Sequence, residues 1–269
     1  MNRIDARFAE LKARGQAAFV PFFTAGDPDP ETTVRLLAAA EGAGADLIEL
    51  GFPFSDPIAD GPTIQASYSR VLARGQRLAD VFAMVARARA DCDLPIVAMV
   101  SYSLVYRMGF ETFLDRALEC GIDGATIPDL PVEEAAALFG LAEERGFRLI
   151  CFVTPATKES RRAMVVRHAH GFIYYISVRG ITGQRDTVPE DLAGNIARLR
   201  ELTAVPVAVG FGISNEEQAR RIAGLADGVI VGSAIVKRMA QAAAEGRDAA
   251  EAALEFIRAM SAATKSPPV

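Results

Sequence analysis

Two acidic side chains lie close together in the sequence, at positions where catalysis is common. Glu49 stands inside the apolar run DLIELG, residues 46–51, and Asp60 lies in the Pro-, Gly- and Asp-rich segment that follows. A short apolar run predicts a buried strand, in which a carboxylate is costly unless it is hydrogen-bonded or functional. Because chemistry in parallel α/β folds gathers where strands end, both are candidate acid–base residues. The structural alternative makes Glu49 a bonded core acid and Asp60 a turn residue.

The elements that must position these acids alternate along the chain. Segments with apolar residues at i, i+3 and i+4 predict amphipathic helices, and they separate eight short apolar runs. Eight strand–helix units in 269 residues favour an α/β fold of the (β/α)8 TIM barrel type. A doubly wound open sheet is the alternative, but no G-x-G-x-x-G follows the first run. The runs span residues 17–26, 46–51, 95–100, 124–129, 148–155, 172–178, 205–212 and 227–233.

The chain contains no linker or low-complexity stretch that would divide it. We therefore expect one barrel domain over residues 1–269. Residues 1–15 form a charged amphipathic pattern and predict an extra N-terminal helix covering the bottom of the barrel. The tail, residues 264–269 with the sequence TKSPPV, is expected to be disordered.

Composition disfavours several classes of function. The formal net charge is −5 with no long basic tract, which argues against nucleic acid as a partner. No apolar run approaches the ~18 residues that span a bilayer, so no membrane partner is expected. The 3 cysteines are widely spaced and the 2 histidines are few for a triad or a metal centre. Reduced thiols in a cytoplasmic protein without a metal site are the expected outcome.

Three glycine-bearing segments follow the sixth, seventh and eighth strands, at residues 179–183, 210–214 and 232–234. Glycine lets a backbone N–H approach a ligand closely. The last segment leads directly into a helical pattern, whose N-terminal N–H groups favour an anion. These segments together predict a phosphate site at one end of the barrel.

The motif ELGFPFSDPIADGPTIQ and the segments GFGIS and VGSAIVK closely resemble the tryptophan synthase alpha subunit family over essentially the whole chain. The segments FVPFFTAGDP, IPDLPVEE and YYISVRGITG add to the resemblance. It implies a (β/α)8 barrel with a covering N-terminal helix. It also implies a lyase of tryptophan biosynthesis that cleaves indole-3-glycerol phosphate to indole and glyceraldehyde 3-phosphate by a reversible retro-aldol reaction. The family uses no cofactor for this step, and its partner is a beta subunit carrying pyridoxal phosphate in an alpha2beta2 heterotetramer.

The resemblance also assigns residues by motif. Glu49 matches the general acid–base carboxylate, and Asp60 matches the loop carboxylate that contacts the indole N–H. The pocket tyrosine precedes the serine after strand six by three residues, which identifies it as Tyr174, with Tyr175 facing the opposite way. Apolar residues matching the indole pocket are Phe22, Ile64 and Phe211. Positions matching the sixth loop and the phosphate site are Thr182, Gly183, Gly212, Gly232 and Ser233.

One segment departs from the family pattern. Ser101 stands where a tyrosine usually follows strand three, and Ser103 stands where an asparagine is usual. In the family this segment lies near the substrate and the beta-subunit face. The loops at about residues 53–61 and 179–189 are expected to close over the substrate and to contact the partner.

Three other functions remain open at this point. The chain fits a stand-alone lyase that releases free indole, which turnover without a beta subunit would distinguish. It also fits a non-catalytic barrel that activates a partner, although the presence of both acids argues against this. Another phosphate-binding barrel enzyme, such as a sugar-phosphate isomerase, is disfavoured by the apolar pocket residues.

Overall fold

The computed structural model describes residues 1–58, 60–177, 189–210 and 212–266. Within these ranges each strand pairs in parallel with the next one along the chain, and the last pairs with the first, which closes a barrel. The predicted (β/α)8 fold is confirmed. The strands are β1 (Ala18–Thr24), β2 (Ile48–Gly51), β3 (Ile96–Met99), β4 (Gly124–Thr126), β5 (Arg148–Val153), β6 (Ile173–Ile176), β7 (Val207–Gly210) and β8 (Gly228–Val231).

The helices of the described chain surround the barrel, apart from the first, which precedes β1. Side chains accept hydrogen bonds from the first turn of several of them, as at Asn2, Asp29 and Asn215. No helix in the described ranges is long and apolar enough to cross a membrane. The helices are α1 (Arg3–Ala13), α2 (Pro30–Ala39), α3 (Pro62–Ala73), α4 (Leu78–Ala88), α5 (Tyr102–Met108), α6 (Phe110–Cys120), α7 (Ala136–Glu144), α8 (Glu159–His168), α9 (Leu192–Leu202), α10 (Glu216–Ala223), α11 (Ser233–Ala244) and α12 (Ala249–Lys265).

Side chains alternate along each strand between two cores. Those of one parity fill the barrel, where Val20, Leu47 and Val97 pack together. Those of the other parity pack under the helices in a larger cluster. On β6 this alternation places Tyr174 in the inner cluster and Tyr175 in the outer one, as the sequence predicts.

Three aspartates, Asp46, Asp123 and Asp227, tie the bottom of the barrel together. Each stands at the start of an even-numbered strand and accepts a backbone hydrogen bond from the preceding odd-numbered strand. Each also pairs with at least one arginine. Asp46 and Asp123 are buried and Asp227 is partly exposed. Buried carboxylates need such partners, and the three sets of bonds together fix where these strands begin relative to one another. The backbone donors are Phe19 at 2.7 Å, Ile96 at 2.9 Å and Val207 at 2.8 Å.

Helix α1 covers the bottom of the barrel with one apolar face. Ile4, Phe8 and Leu11 are buried in the inner cluster. The tip of Ile4 lies against Gly124 and Gly171, where an added Cβ would come within 2.9 and 3.2 Å of it. Glycine at these two positions therefore leaves room for the Ile4 side chain at the bottom of the barrel. The helix covers Arg3–Ala13 of the predicted 1–15.

The predicted tail begins too early. Residues 264 and 265 belong to α12, and Thr264 is buried. The Lys265 ammonium lies 2.6 Å from a carboxylate oxygen of Asp46, because α12 packs beside the bottom of β1 and β2. Residues 267–269 lie outside the described ranges, and the assignment of 1–269 to one domain stays a prediction.

Candidate active site

A cavity of about 410 Å³ opens at the carboxyl ends of the strands. Its walls come from β1, β2, β3, β6 and β8 and from the segments that follow β2, β7 and β8. These walls bring together eight residues that the sequence predicted to form a site, although the strands carrying them are far apart in the chain. They are Phe22, Glu49, Asp60, Ile64, Tyr174, Gly212, Gly232 and Ser233.

Glu49 lies on β2 with its side chain inside the barrel and only 3% of its surface exposed. The Thr126 hydroxyl, on β4, donates to Glu49 Oε1 at 3.2 Å. Burial raises the pKa of Glu49 to about 8, the hydrogen bond from Thr126 opposes the rise, and the negative charge of Asp60 adds to it. At neutral pH this carboxyl therefore holds a proton that it can donate into the cavity.

Asp60 lies just before α3, on the segment that connects β2 to that helix. Its backbone N–H donates to the Pro57 carbonyl at 3.1 Å, and the Gln65 amide donates to the Asp60 carbonyl at 2.8 Å. Burial raises the pKa of Asp60 to about 6, with a further rise from the nearby charge of Asp129. Because the pKa of Asp60 is lower than that of Glu49, Asp60 is ionised at neutral pH while Glu49 is still protonated. When the pKa values of two carboxyls differ in this way, one can donate a proton and the other can stabilise a positive charge.

The Ser101 segment contributes indirectly, through Asp129. Ser101 caps α5 and donates from its hydroxyl to Asp129 Oδ2 at 2.7 Å, while the Tyr102 N–H donates to Oδ1 at 2.7 Å. Asp60 and Asp129 both line a small cleft of about 30 Å³ next to the main cavity. The serine at this position thus orients the carboxylate that acts on Asp60.

Two glycines make room for the aromatic wall of the cavity. A Cβ on Gly51 would collide with the ring of Phe22, and one on Gly210 would lie 2.5 Å from the Tyr174 hydroxyl. Phe22 packs with Ile64 in a separate apolar cluster at this end. Phe22, Ile64 and Tyr174 thus form an apolar, partly aromatic slot in the same cavity as the two acids, of a kind that accepts an aromatic ring.

Glycine and serine form another part of the cavity lining, after β7 and β8. Gly212 has φ +78° and open space where a side chain would begin. Gly232 caps α11 and Ser233 is its first residue. The first N–H groups of a helix lack acceptors within it, so this end presents donors to an anion. The Lys237 side chain also lines the cavity here.

Three predicted residues, Thr182, Gly183 and Phe211, lie outside the described ranges, as do residues 179–188 of the predicted closing loop. In the rest of the chain, no group of three or more His, Cys, Asp or Glu side chains is placed to hold a metal. The three cysteines are buried and unbridged, and burial raises the pKa of Cys151 to about 12, so its thiol is a poor nucleophile.

Thr126, Gln65 and Lys237 contribute to the site and were not singled out in the sequence. Thr126 is the one polar residue of the short strand β4, with the same parity as Glu49 toward the barrel interior. This matching parity could have identified Thr126 as a site residue from the sequence. Lys237 carried no signal, because it is followed by Arg238 and helical spacing alone does not say which of the two faces the cavity.

Comparison with known proteins places this geometry among well-described relatives. The family model "Tryptophan synthase alpha chain" matches residues 8–265. The tryptophan synthase alpha chain of Geobacter sp. (strain M21) is 50% identical over 237 residues, which is 88% of this chain and 89% of the relative. The crystal structure of tryptophan synthase subunit alpha from Legionella pneumophila str. Paris superposes with a TM-score of 0.91 at 36% identity, covering 98% of each chain. A Mycobacterium tuberculosis tryptophan synthase structure superposes with a TM-score of 0.89 at 30% identity, covering 98% of this chain and 99% of that one.

Proposed function

Because this chain belongs to the tryptophan synthase alpha chain family, the lyases that cleave indole-3-glycerol phosphate in tryptophan biosynthesis, we propose that Glu49 and Asp60 carry out this cleavage. The observation that carries the assignment is that Glu49 and Asp60 line a single cavity, where burial raises their pKa values to about 8 and about 6, so that at neutral pH one carboxyl holds a proton and the other is ionised.

The reaction needs a proton on C3 of the indole ring before the C3–C3′ bond can break. Glu49 donates that proton, which converts the ring to an indolenine, a good electron sink. The carboxylate so formed then removes the proton from the C3′ hydroxyl. The C3–C3′ electron pair returns to the ring as the carbonyl of glyceraldehyde 3-phosphate forms. One proton moves in each direction, so Glu49 ends as it began.

Asp60 acts at the other side of the ring. Protonation at C3 puts positive charge on N1–H, and an ionised carboxylate there stabilises it. The pKa of about 6 keeps Asp60 ionised at neutral pH. Gln65, which bonds the Asp60 carbonyl at 2.8 Å, supports the segment that carries this carboxylate.

The indole ring and the phosphate of the substrate fit two different parts of the cavity. The indole ring takes the slot between Phe22, Ile64 and Tyr174, and the phosphate takes the end formed by Gly212, Gly232 and Ser233. Thr182, Gly183 and Phe211 keep their predicted roles in this proposal on the resemblance alone. Binding the remote phosphate positions the reacting carbons, which is how remote contacts accelerate a chemical step.

Glu49→Gln tests the assignment. The amide keeps the shape of the side chain but cannot deliver the proton, so kcat for indole-3-glycerol phosphate should fall at least ~10²-fold while the substrate still binds. Near-normal turnover would end the proposed role of Glu49. The same measurement on the wild type separates an enzyme from a non-catalytic barrel.

We further propose a beta subunit as partner, in an alpha2beta2 assembly that works in the cytoplasm. Two large apolar side chains support a docking surface at the end of the barrel that holds the cavity: Ile58 is 73% exposed and Tyr106 is 69% exposed. The Tyr106 ring packs against Tyr102 at a tilted angle and against Phe110 edge-on, which holds it in place. Pyridoxal phosphate belongs to the partner in this proposal, and the alpha chain uses no cofactor.

A titration distinguishes this from the stand-alone lyase. Cleavage should rise to a plateau as a tryptophan synthase beta subunit is added, because a partner that prefers the active form increases its population. Tyr106→Ala should weaken the activation while leaving the turnover of the free chain unchanged, because Tyr106 is exposed and does not line the cavity. High activity that does not respond to the beta subunit would favour the stand-alone lyase.

A further inference from the structure

The charges lining the cavity do not match the ligand proposed for it. At neutral pH Asp60 is ionised and Glu49 holds a proton, and Lys237 is the one basic side chain among the described lining residues. A phosphate monoester brings up to two further negative charges into the same space. Backbone N–H groups and a helix N-terminus supply only partial charges, so a full positive charge in the cavity would further stabilise a bound phosphate.

The geometry of α11 separates Lys237 from the cation beside it. Lys237 follows Ser233 by four residues, so both lie on one face of the helix, one turn apart. Both line the cavity. Arg238 is turned away: its guanidinium carbon lies 3.6 Å from the centre of the Phe256 ring, and it donates to the Ala234 carbonyl at 3.3 Å.

Lys237 is also uncommitted among the residues that the structure describes. It forms no ion pair or side-chain hydrogen bond with the part of the chain that the structure describes, whereas most of the arginines at the barrel bottom are paired. A lysine has a flexible stem and a compact charge, so it can follow a bound anion without a prepositioned partner.

We infer that Lys237 is a phosphate-binding residue that selects phosphorylated over unphosphorylated ligands in this cavity. The inference rests on the proposed function, in which glycine and serine segments hold the phosphate. It extends that function by adding one charged side chain, since a phosphate site built from backbone alone would bind equally well without Lys237. An ammonium at the rim acts on binding and on the rate of encounter, both of which weaken with salt.

The test compares Lys237→Gln with Lys237→Arg, and uses Arg238→Gln as the matched control on the same helix. Lys237→Gln should raise KM for indole-3-glycerol phosphate about tenfold with a smaller loss of kcat, since the backbone N–H groups at Gly212 and Ser233 still position the phosphate. Lys237→Arg should restore most of the loss, and Arg238→Gln should behave as the wild type. The salt dependence of kcat/KM should become shallower in Lys237→Gln alone.

Direct binding separates this inference from the proposed function. Inorganic phosphate should bind Lys237→Gln about tenfold more weakly than the wild type by calorimetry, while indole, which has no phosphate, should bind both equally. Equal phosphate affinity in the two proteins overturns the role of Lys237 and leaves the lyase assignment intact. A wild type that neither binds phosphate nor cleaves the substrate would overturn both. Loss of indole binding as well would mean a general disturbance of the cavity, which contradicts a role limited to phosphate.

Discussion

The Thr126 hydroxyl donates to Glu49 Oε1 at 3.2 Å, across the intervening strand β3. The two residues are 77 positions apart in the sequence. A donor facing a carboxyl stabilises its charged form and restricts its rotation. Thr126 is thereby a positioning residue for the proton donor, and it limits how far burial raises the pKa of Glu49.

Thr126→Val keeps the shape of the side chain and removes this donor. The pKa of Glu49 should rise further, so the basic limb of the pH profile of kcat/KM should move to higher pH, and kcat should fall about tenfold as the carboxyl loses its orientation. Thr126→Ser keeps the hydroxyl and should stay close to the wild type. An unchanged basic limb in Thr126→Val would argue against the coupling.

The wild-type profile itself should be bell-shaped. Glu49 must be protonated and Asp60 ionised, so kcat/KM should rise through about pH 6 and fall through about pH 8. Asp129→Asn removes a negative charge near Asp60, so the acidic limb should move to lower pH. The substrate phosphate also titrates near pH 6, so the difference between Asp129→Asn and the wild type is the informative quantity. Identical acidic limbs in Asp129→Asn and the wild type would show that Asp129 does not act on Asp60.

The stability of the protein should carry the signature of Glu49. Its folded-state pKa of about 8 lies above the ordinary 4.5, so the folded state holds a proton that the unfolded chain releases between those values. The contribution of Glu49 to the free energy of unfolding therefore decreases as pH rises through this window. Gln does not titrate, so the stability of Glu49→Gln relative to the wild type should increase from about pH 5 to pH 8 by a few kcal/mol and then level off. Urea titrations at several pH values measure this, with the exposed Glu201→Gln as control. A pH-independent difference would mean that Glu49 is already ionised in the folded protein.

Gly210→Ala tests the aromatic wall. The added Cβ would lie 2.5 Å from the Tyr174 hydroxyl, so the ring must move from its position in the wall of the proposed indole slot. KM for the substrate should rise roughly tenfold or more, because the displaced ring no longer fits the shape of the ligand. Gly194→Ala is the matched control: no atom lies within 4 Å of its added Cβ, and it sits in α9, where Ala is favoured over Gly. Equal KM values in the two variants would show that Tyr174 does not border the ligand.

The sequence by itself determined the fold and the family. Regular alternation of apolar runs with amphipathic segments leaves few topologies besides a parallel barrel, and that prediction is confirmed. The motif around Glu49 and Asp60 is local and specific, so the resemblance to tryptophan synthase alpha chains is also confirmed. The parity of Tyr174 and Tyr175 followed from strand geometry. The roles of the site residues stay predictions.

Only the tertiary structure decided which side chains act on the two acids. Thr126, Asp129 and Lys237 lie in separate units of the barrel, and their proximity to the cavity depends on strand register and helix rotation. Neither quantity can be obtained from one chain's local pattern, because each depends on how distant segments pack. The tail shows the same dependence: residues 264 and 265 look like part of a polar, Pro-containing end, yet Lys265 is held by Asp46, more than 200 residues away.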